Sequence, residues 1–155
     1  RRMASETNRF NFERSPLSFQ AKTNLTLAER QLKIAGLMLY WGEGAKKNQS
    51  VDFANSDPRM AKLFIKFIRD IYGVNEARIK GQLYCYEGQD CVKLLKFWSE
   101  KLTLPIGQFT KPYVCKPRGT IHGKMEHGLI HVRYSDVRLL KSILDEIGEL
   151  AEAMN

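Results

Sequence analysis

The chain has 155 residues, 43% of them hydrophobic and 27% charged, enough for one domain with its own core and too apolar for a disordered segment. No apolar run is long enough to cross a bilayer, and the opening Arg1-Arg2-Met3 lacks the apolar core of a signal peptide. The net charge is +8, and Asp136 to Asn155 carries five acids against two bases, so the positive excess lies in residues 1–135, where it suits a nucleic-acid partner.

Residues 1–24 are polar without a clear period and read as an arm or linker from a preceding part, leaving residues 25–155 as a single domain. Thr26-Leu27-Ala28-Glu29 is a capping box, and the helix it opens runs to about Trp41, where Gly42 and Gly44 stop it. The end of this helix is unusual, because Glu43 stands between two glycines. A carboxylate there meets the negative end of the helix macrodipole, a penalty of about 0.3–1 kcal/mol that a bound cation would offset. The helix end is therefore a candidate metal or catalytic site.

Lys46-Lys47-Asn48-Gln49 forms a turn, and Val51, Phe53 and Ala54 a short strand. Asp57 and Pro58 are N-cap and first residue of a second helix, whose stripe of Met60, Leu63, Phe64, Phe67, Ile68 and Ile71 ends at Gly73. From Arg78 to Tyr86 the pattern alternates. Ile79, Leu83 and Cys85 point inward; Arg78, Lys80, Gln82, Tyr84 and Tyr86 point outward. A third helix spans about Gln89 to Leu102 and buries Val92, Leu95 and Trp98. Phe109 to Lys116 is a further strand, placed near an edge by Pro112, and a basic loop with Lys116 and Arg118 follows to about Glu126.

Leu129 to Tyr134 alternates again, with Ile130, Val132 and Tyr134 on one face and Leu129, His131 and Arg133 on the other. Ser135 caps a last helix with Val137, Leu140, Ile143, Leu144 and Ile147 as its stripe. The order predicts an α+β fold with helices on one face of a small, mostly antiparallel sheet. The other face is left open, carrying Arg78, Lys80, Gln82, Tyr84, His131 and Arg133. Arg and Lys suit phosphates and Arg and Gln suit base edges, and a β-ribbon fits the major groove; the plain alternative is a solvated polar face. Cys85, Cys91 and Cys115 make an odd set, which fits reduced thiols of a cytoplasmic protein. A zinc site drawn from Cys115, His122 and His127 has no closely spaced ligand pair behind it.

With these elements in place, the chain resembles the LAGLIDADG homing-endonuclease family, and in particular its small single-motif members from prokaryotes and phages. The motif aligns as Gly36-Leu37-Met38-Leu39-Tyr40-Trp41-Gly42-Glu43-Gly44. The likeness continues through Val51-Asp52-Phe53-Ala54-Asn55-Ser56-Asp57-Pro58, Phe97-Trp98, Leu104-Pro105, Phe109-Thr110-Lys111-Pro112 and the strand Gly128 to Tyr134.

The resemblance implies two motif helices packed side by side under a DNA-facing saddle. The acid at each helix end then holds magnesium or another divalent cation over a scissile phosphate. Here that acid is Glu43, with the Gly42 carbonyl assisting. One motif is half a site, so the resemblance implies a homodimer on a pseudo-palindromic duplex, with Gly36, Met38, Leu39 and Tyr40 at the dimer contact. The resemblance also implies a catalytic basic residue near the scissile phosphate, for which Lys111 is the candidate and Lys46 the alternative. Lys46, Lys47, Lys116 and Arg118 hold phosphates from loops. The family's acid is commonly Asp, whereas this chain has Glu, and Met38 and Trp41 stand where smaller or acidic residues are common. Two activities stay open: metal-dependent cleavage of double-stranded DNA, or a relative that has lost cleavage and serves as a DNA-binding regulator or an RNA-splicing maturase.

Overall fold

The computed structural model describes residues 2–117 and 125–155, with side chains from residue 5 onward. In chain order the elements are α1 (Arg2–Arg14), α2 (Leu27–Glu43), β1 (Val51–Asn55), α3 (Pro58–Tyr72), β2 (Ile79–Tyr86), α4 (Cys91–Leu102), β3 (Tyr113–Cys115), β4 (Leu129–Tyr134) and α5 (Val137–Met154). The fold is α+β. Among the described residues, no helix is long and apolar enough to cross a membrane.

Local chemistry explains where the helices begin. The Thr26 hydroxyl accepts from Glu29 N–H at 3.2 Å and Glu29 accepts from Thr26 N–H at 2.8 Å, completing the capping box of α2. Asp57 caps α3 through Arg59 N–H at 2.8 Å, with Pro58 at the first position. Helix α4 starts at Cys91, where Asp90 caps it through Lys93 N–H at 3.1 Å. Its buried stripe is therefore Leu94, Trp98 and Leu102, while Val92, expected inside, is 71% exposed on the far side. The last helix is capped by Asp136 rather than Ser135, because the Asp136 carboxylate accepts from Arg138 N–H at 2.9 Å. That shift of one residue leaves Val137 exposed and buries Leu139 beside Leu140 and Ile143.

The strands form one sheet in the order β1-β4-β2-β3. Pairs β1–β4 and β4–β2 are antiparallel, and β2–β3 is parallel. Alternation is visible in the burial. Ile79, Gly81, Leu83 and Cys85 of β2 and Ile130, Val132 and Tyr134 of β4 are buried, and the residues between them are not. The helices cover the buried face, and Phe53, Phe64, Phe67, Tyr72 and Trp98 fill the core between. The expected strand from Phe109 to Lys116 shrinks to Tyr113–Cys115, preceded by a single bridge from Phe109 to Gly81. Pro112 sits between the two and offers no N–H to a ladder.

Two glycines are required by close approach. A Cβ on Gly36 would stand 2.1 Å from the Phe67 ring, so α2 and α3 meet at this point without a side chain between them. Gly73 ends α3 at φ 52°, where a Cβ would also stand 2.7 Å from the Gln20 carbonyl.

Residues 1–24, read from sequence as an arm, contain α1, whose described side chains are mostly exposed. An exposed helix has no apolar stripe, so its period is silent. The stretch behind α1 joins the domain. Gln20 N–H and Lys22 N–H donate to the Tyr72 and Ile71 carbonyls at 2.9 and 2.8 Å, and Phe19 is buried. Ser18 Oγ donates to the buried Asp136 carboxylate at 2.7 Å, and the Arg138 guanidinium bonds both Asp136 and the Ser15 carbonyl.

Candidate functional site

Helix α2 does not stop at Trp41. It passes through Gly42 to Glu43, and Gly44 ends it, its N–H donating to the Tyr40 carbonyl at 2.8 Å. Gly42 is inside the helix and exposed, and a Cβ there would meet open space. Glu43 is exposed, and its carboxylate makes no hydrogen bond or ion pair among the described residues. The last turn of α2 holds no basic residue. The carboxylate thus faces the negative helix end uncompensated within that turn. Lys46 is the cation nearest in sequence, and its Nζ donates to the Gly44 carbonyl at 3.0 Å, just beyond the helix end.

The helix end is anchored to the sheet through Tyr40 and Asp52. Tyr40, wholly buried, donates its hydroxyl to the Ala45 carbonyl at 2.6 Å and accepts from Asp52 N–H at 3.4 Å. Burial chiefly pushes the Tyr40 phenol up to about 12, so it stays a donor at neutral pH. Ala45 N–H donates to the Asp52 carbonyl at 2.9 Å, and Gly44 bridges Phe53.

The side chain of Asp52 turns to the open face, where it organises a polar array across three strands. Its Oδ1 lies 2.8 Å from His131 Nδ1, and its Oδ2 accepts from Arg133 Nε at 2.9 Å. The guanidinium continues to the Gln82 side-chain carbonyl and to the Tyr84 hydroxyl, the latter at 3.5 Å. The register explains the meeting: Asp52 pairs with Arg133, Ala54 with His131, and Gln82 with His131 from the other side. Burial raises the Asp52 carboxyl, but hydrogen bonds and charge from His131 and Arg133 outweigh it and hold the group below its ordinary value. The same ion pair raises Arg133 against its own desolvation. Aromatic rings extend the array, with Tyr84 4.3 Å from the His131 ring centroid and 5.0 Å from that of Tyr113.

Lys80, Gln82, Tyr84, His131 and Arg133 therefore share the open face as expected, Lys80 exposed and the others half-buried. Arg78 does not share it. It lies in a short 3-10 turn before β2, capped by Asn75. Its guanidinium donates to the Ser135 carbonyl and lies 5.5 Å from the centroid of the Tyr134 ring. Lys47, Lys111 and Lys116 are exposed, and Arg118 lies outside the described residues. Lys111 follows the Gly81–Phe109 bridge, and its carbonyl accepts from Gln82 Nε2 at 3.2 Å. It belongs to the β3 edge, whereas Glu43 belongs to the β1 edge. Three strand spacings of about 4.8 Å separate those edges, so within one chain Lys46, not Lys111, is the base beside Glu43.

The residues expected at a dimer contact divide. Gly36 and Tyr40 are buried inside their own chain, against Phe67 and Phe64 respectively, and Leu39 packs partly on the same core. Met38 is exposed, and it forms an apolar stripe with Ile34 and Trp41, each at least 40% exposed. Their spacing puts all three on one face of α2.

Among the described residues no group of three or more His, Cys, Asp or Glu is placed to hold a metal ion. Of the zinc trio, His122 lies outside the described residues, and His127 stacks on Phe97 at 3.9 Å. Glu43 with the main-chain oxygen of Gly42 offers at most part of a divalent-cation shell. Asp52 and Tyr113 were missed from sequence, although Asp52 stands between the inward Val51 and Phe53 and so belongs to the open face by alternation. No protein-family model, curated protein or solved structure matches the chain.

Proposed function

We propose that this protein binds double-stranded DNA across its open sheet face, as a homodimer of the LAGLIDADG homing-endonuclease type. The observation that carries the reading is the array of Asp52, His131, Arg133, Gln82 and Tyr84. These side chains are already held by one another before any ligand arrives, so less rotamer entropy is lost on contact. Arg133 and Gln82 supply the donors and acceptors that read base edges, and exposed Lys80, Lys46, Lys47 and Lys116 meet phosphates. In the dimer the seam is the exposed stripe of Ile34, Met38 and Trp41, since Gly36 and Tyr40 serve the chain's own core.

A cleaving form of the same complex is favoured by one specific observation, the uncompensated Glu43 at the end of α2. Two copies of α2 side by side bring two such carboxylates together, which supplies the ligands that one chain lacks. Glu43 and the Gly42 carbonyl would hold the cation, and the cation would activate water and stabilise the leaving oxygen of a phosphodiester. Lys46, whose Nζ donates to the Gly44 carbonyl at the same helix end, would contact the phosphate.

The test mixes the protein with a randomised duplex library, with and without magnesium, and sequences both bound and cut fragments. The reading expects selection of a pseudo-palindromic site whose affinity falls steeply with salt, and loss of selection in Arg133→Ala. Cuts that need magnesium and vanish in Glu43→Gln assign cleavage; selection with no cuts assigns a binding-only protein. No enrichment of any duplex, or enrichment untouched by Arg133→Ala, overturns the assignment of the sheet face.

A further inference from the structure

We infer that Cys85 and Cys91 are a peroxide-oxidisable thiol pair, a disulfide site joining the end of β2 to the first turn of α4. Their sulfurs lie 2.8 Å apart. That is about 0.8 Å longer than a sulfur–sulfur bond of about 2.05 Å, so a small side-chain movement closes it. The intervening turn is built to hold this approach. Gln89 N–H donates to the Tyr86 carbonyl at 3.1 Å, and its side-chain oxygen accepts from Tyr86 N–H at 2.9 Å. Gly88 supplies a φ of 92°, and Asp90 caps the helix that carries Cys91.

The third thiol is committed elsewhere, since Cys115 Sγ donates to the Cys85 carbonyl at 3.3 Å and not to its sulfur. Access divides the roles: Cys85 is wholly buried and Cys91 is partly exposed. Burial and the neighbouring thiols Cys91 and Cys115 raise the Cys85 thiol, so it keeps its proton and does not meet the oxidant first. In the first step the Cys91 thiolate attacks one peroxide oxygen and the O–O bond breaks; the leaving hydroxide takes the proton the thiol released, giving a sulfenic acid and one water. In the second the Cys85 sulfur attacks the Cys91 sulfur. The S–O bond breaks, the hydroxyl group leaves with the Cys85 proton as water, and the disulfide forms. Two thiols are oxidised while one hydrogen peroxide is reduced to two waters. The site is independent of the nucleic-acid reading.

The experiment treats the folded chain with hydrogen peroxide, alkylates the remaining thiols, digests without reduction and maps the peptides by mass spectrometry. The expected product links Cys85 to Cys91, is lighter by two hydrogen atoms than the reduced pair, and leaves Cys115 alkylated. Cys115→Ser forms the same link at the same rate, and Cys91→Ser leaves Cys85 a free thiol. A link through Cys115, or Cys91 driven to sulfinic acid beside an intact Cys85 thiol, overturns the inference.

Discussion

Gly36→Ala tests whether the glycine of the α2 motif serves the chain's own core or a contact between copies. The added Cβ would stand 2.1, 2.3 and 2.6 Å from three ring carbons of Phe67. Carbon contacts are comfortable at about 3.5 Å, so the ring or the helix must give by roughly 1.4 Å. Phe67 cannot give easily: it is wholly buried, with Tyr72 edge-on at 5.3 Å and Phe64 at 6.1 Å. Overpacking of this kind costs up to about 3 kcal/mol, and the better helix propensity of alanine returns about 1 kcal/mol. The expected net loss is about 2 kcal/mol. In urea unfolding that lowers the midpoint by about 0.7–2 M at an unchanged slope. Phe67→Leu in the same chain relieves part of the loss, a coupling that a double-mutant cycle reads. The loss is also expected to be the same at protein concentrations tenfold apart. An unchanged midpoint, or a loss that appears only at high protein concentration, refutes the intrachain account and returns Gly36 to a contact between copies.

Three further outcomes follow from the same geometry. Asp52→Asn removes a half-buried charge paired with His131 and Arg133, for a loss of about 1–3 kcal/mol at neutral pH by chemical denaturation. Because the folded carboxyl is held below its ordinary value, its contribution is complete above the unfolded pKa of about 3.9. It disappears as pH falls through the depressed folded value, so wild type and variant converge in acid; a constant gap across that range contradicts the assignment. Asp136→Ala removes the α5 cap and the buried partner of Arg138 and Ser18, with an expected loss of about 3 kcal/mol. Asp136→Asn, which keeps a capping oxygen, should lose clearly less in thermal unfolding. If the sheet face binds duplex as proposed, Lys80→Ala, on its exposed part, should weaken binding and lower the slope of log affinity against log salt by about one; a slope equal to wild type contradicts a phosphate contact for Lys80.

What could be read before folding was what one-sided burial writes into a chain. The strands β2 and β4 bury one face and wet the other, so their alternation gave the inward and outward residues correctly from Ile79 to Tyr86 and from Leu129 to Tyr134. A capping box announced α2 and a Pro after an acid announced α3 for the same reason, because the signal is local. Helix α1 buries little and left no period, and the parallel partner β3 is too short to alternate. The site divides along this line. Alternation could place Lys80, Gln82, Tyr84, His131 and Arg133 on one surface, but not say which of them touch. That depends on register, and register is a property of pairs. Asp52 meets Arg133 because β1 and β4 align those two residues, which no single strand records. The same holds for α2, whose apolar residues looked alike in sequence. Only the packing of Phe67 into the space at Gly36 separates the face turned to the core from the face of Ile34, Met38 and Trp41 that is left exposed. If that second face is a seam between copies, Ile34→Glu should abolish duplex selection while leaving the urea midpoint of the dilute chain in place, since the side chain is already 43% exposed there. Selection that survives Ile34→Glu would mean that one chain reads DNA alone, and that the two halves of the proposed site never need to meet.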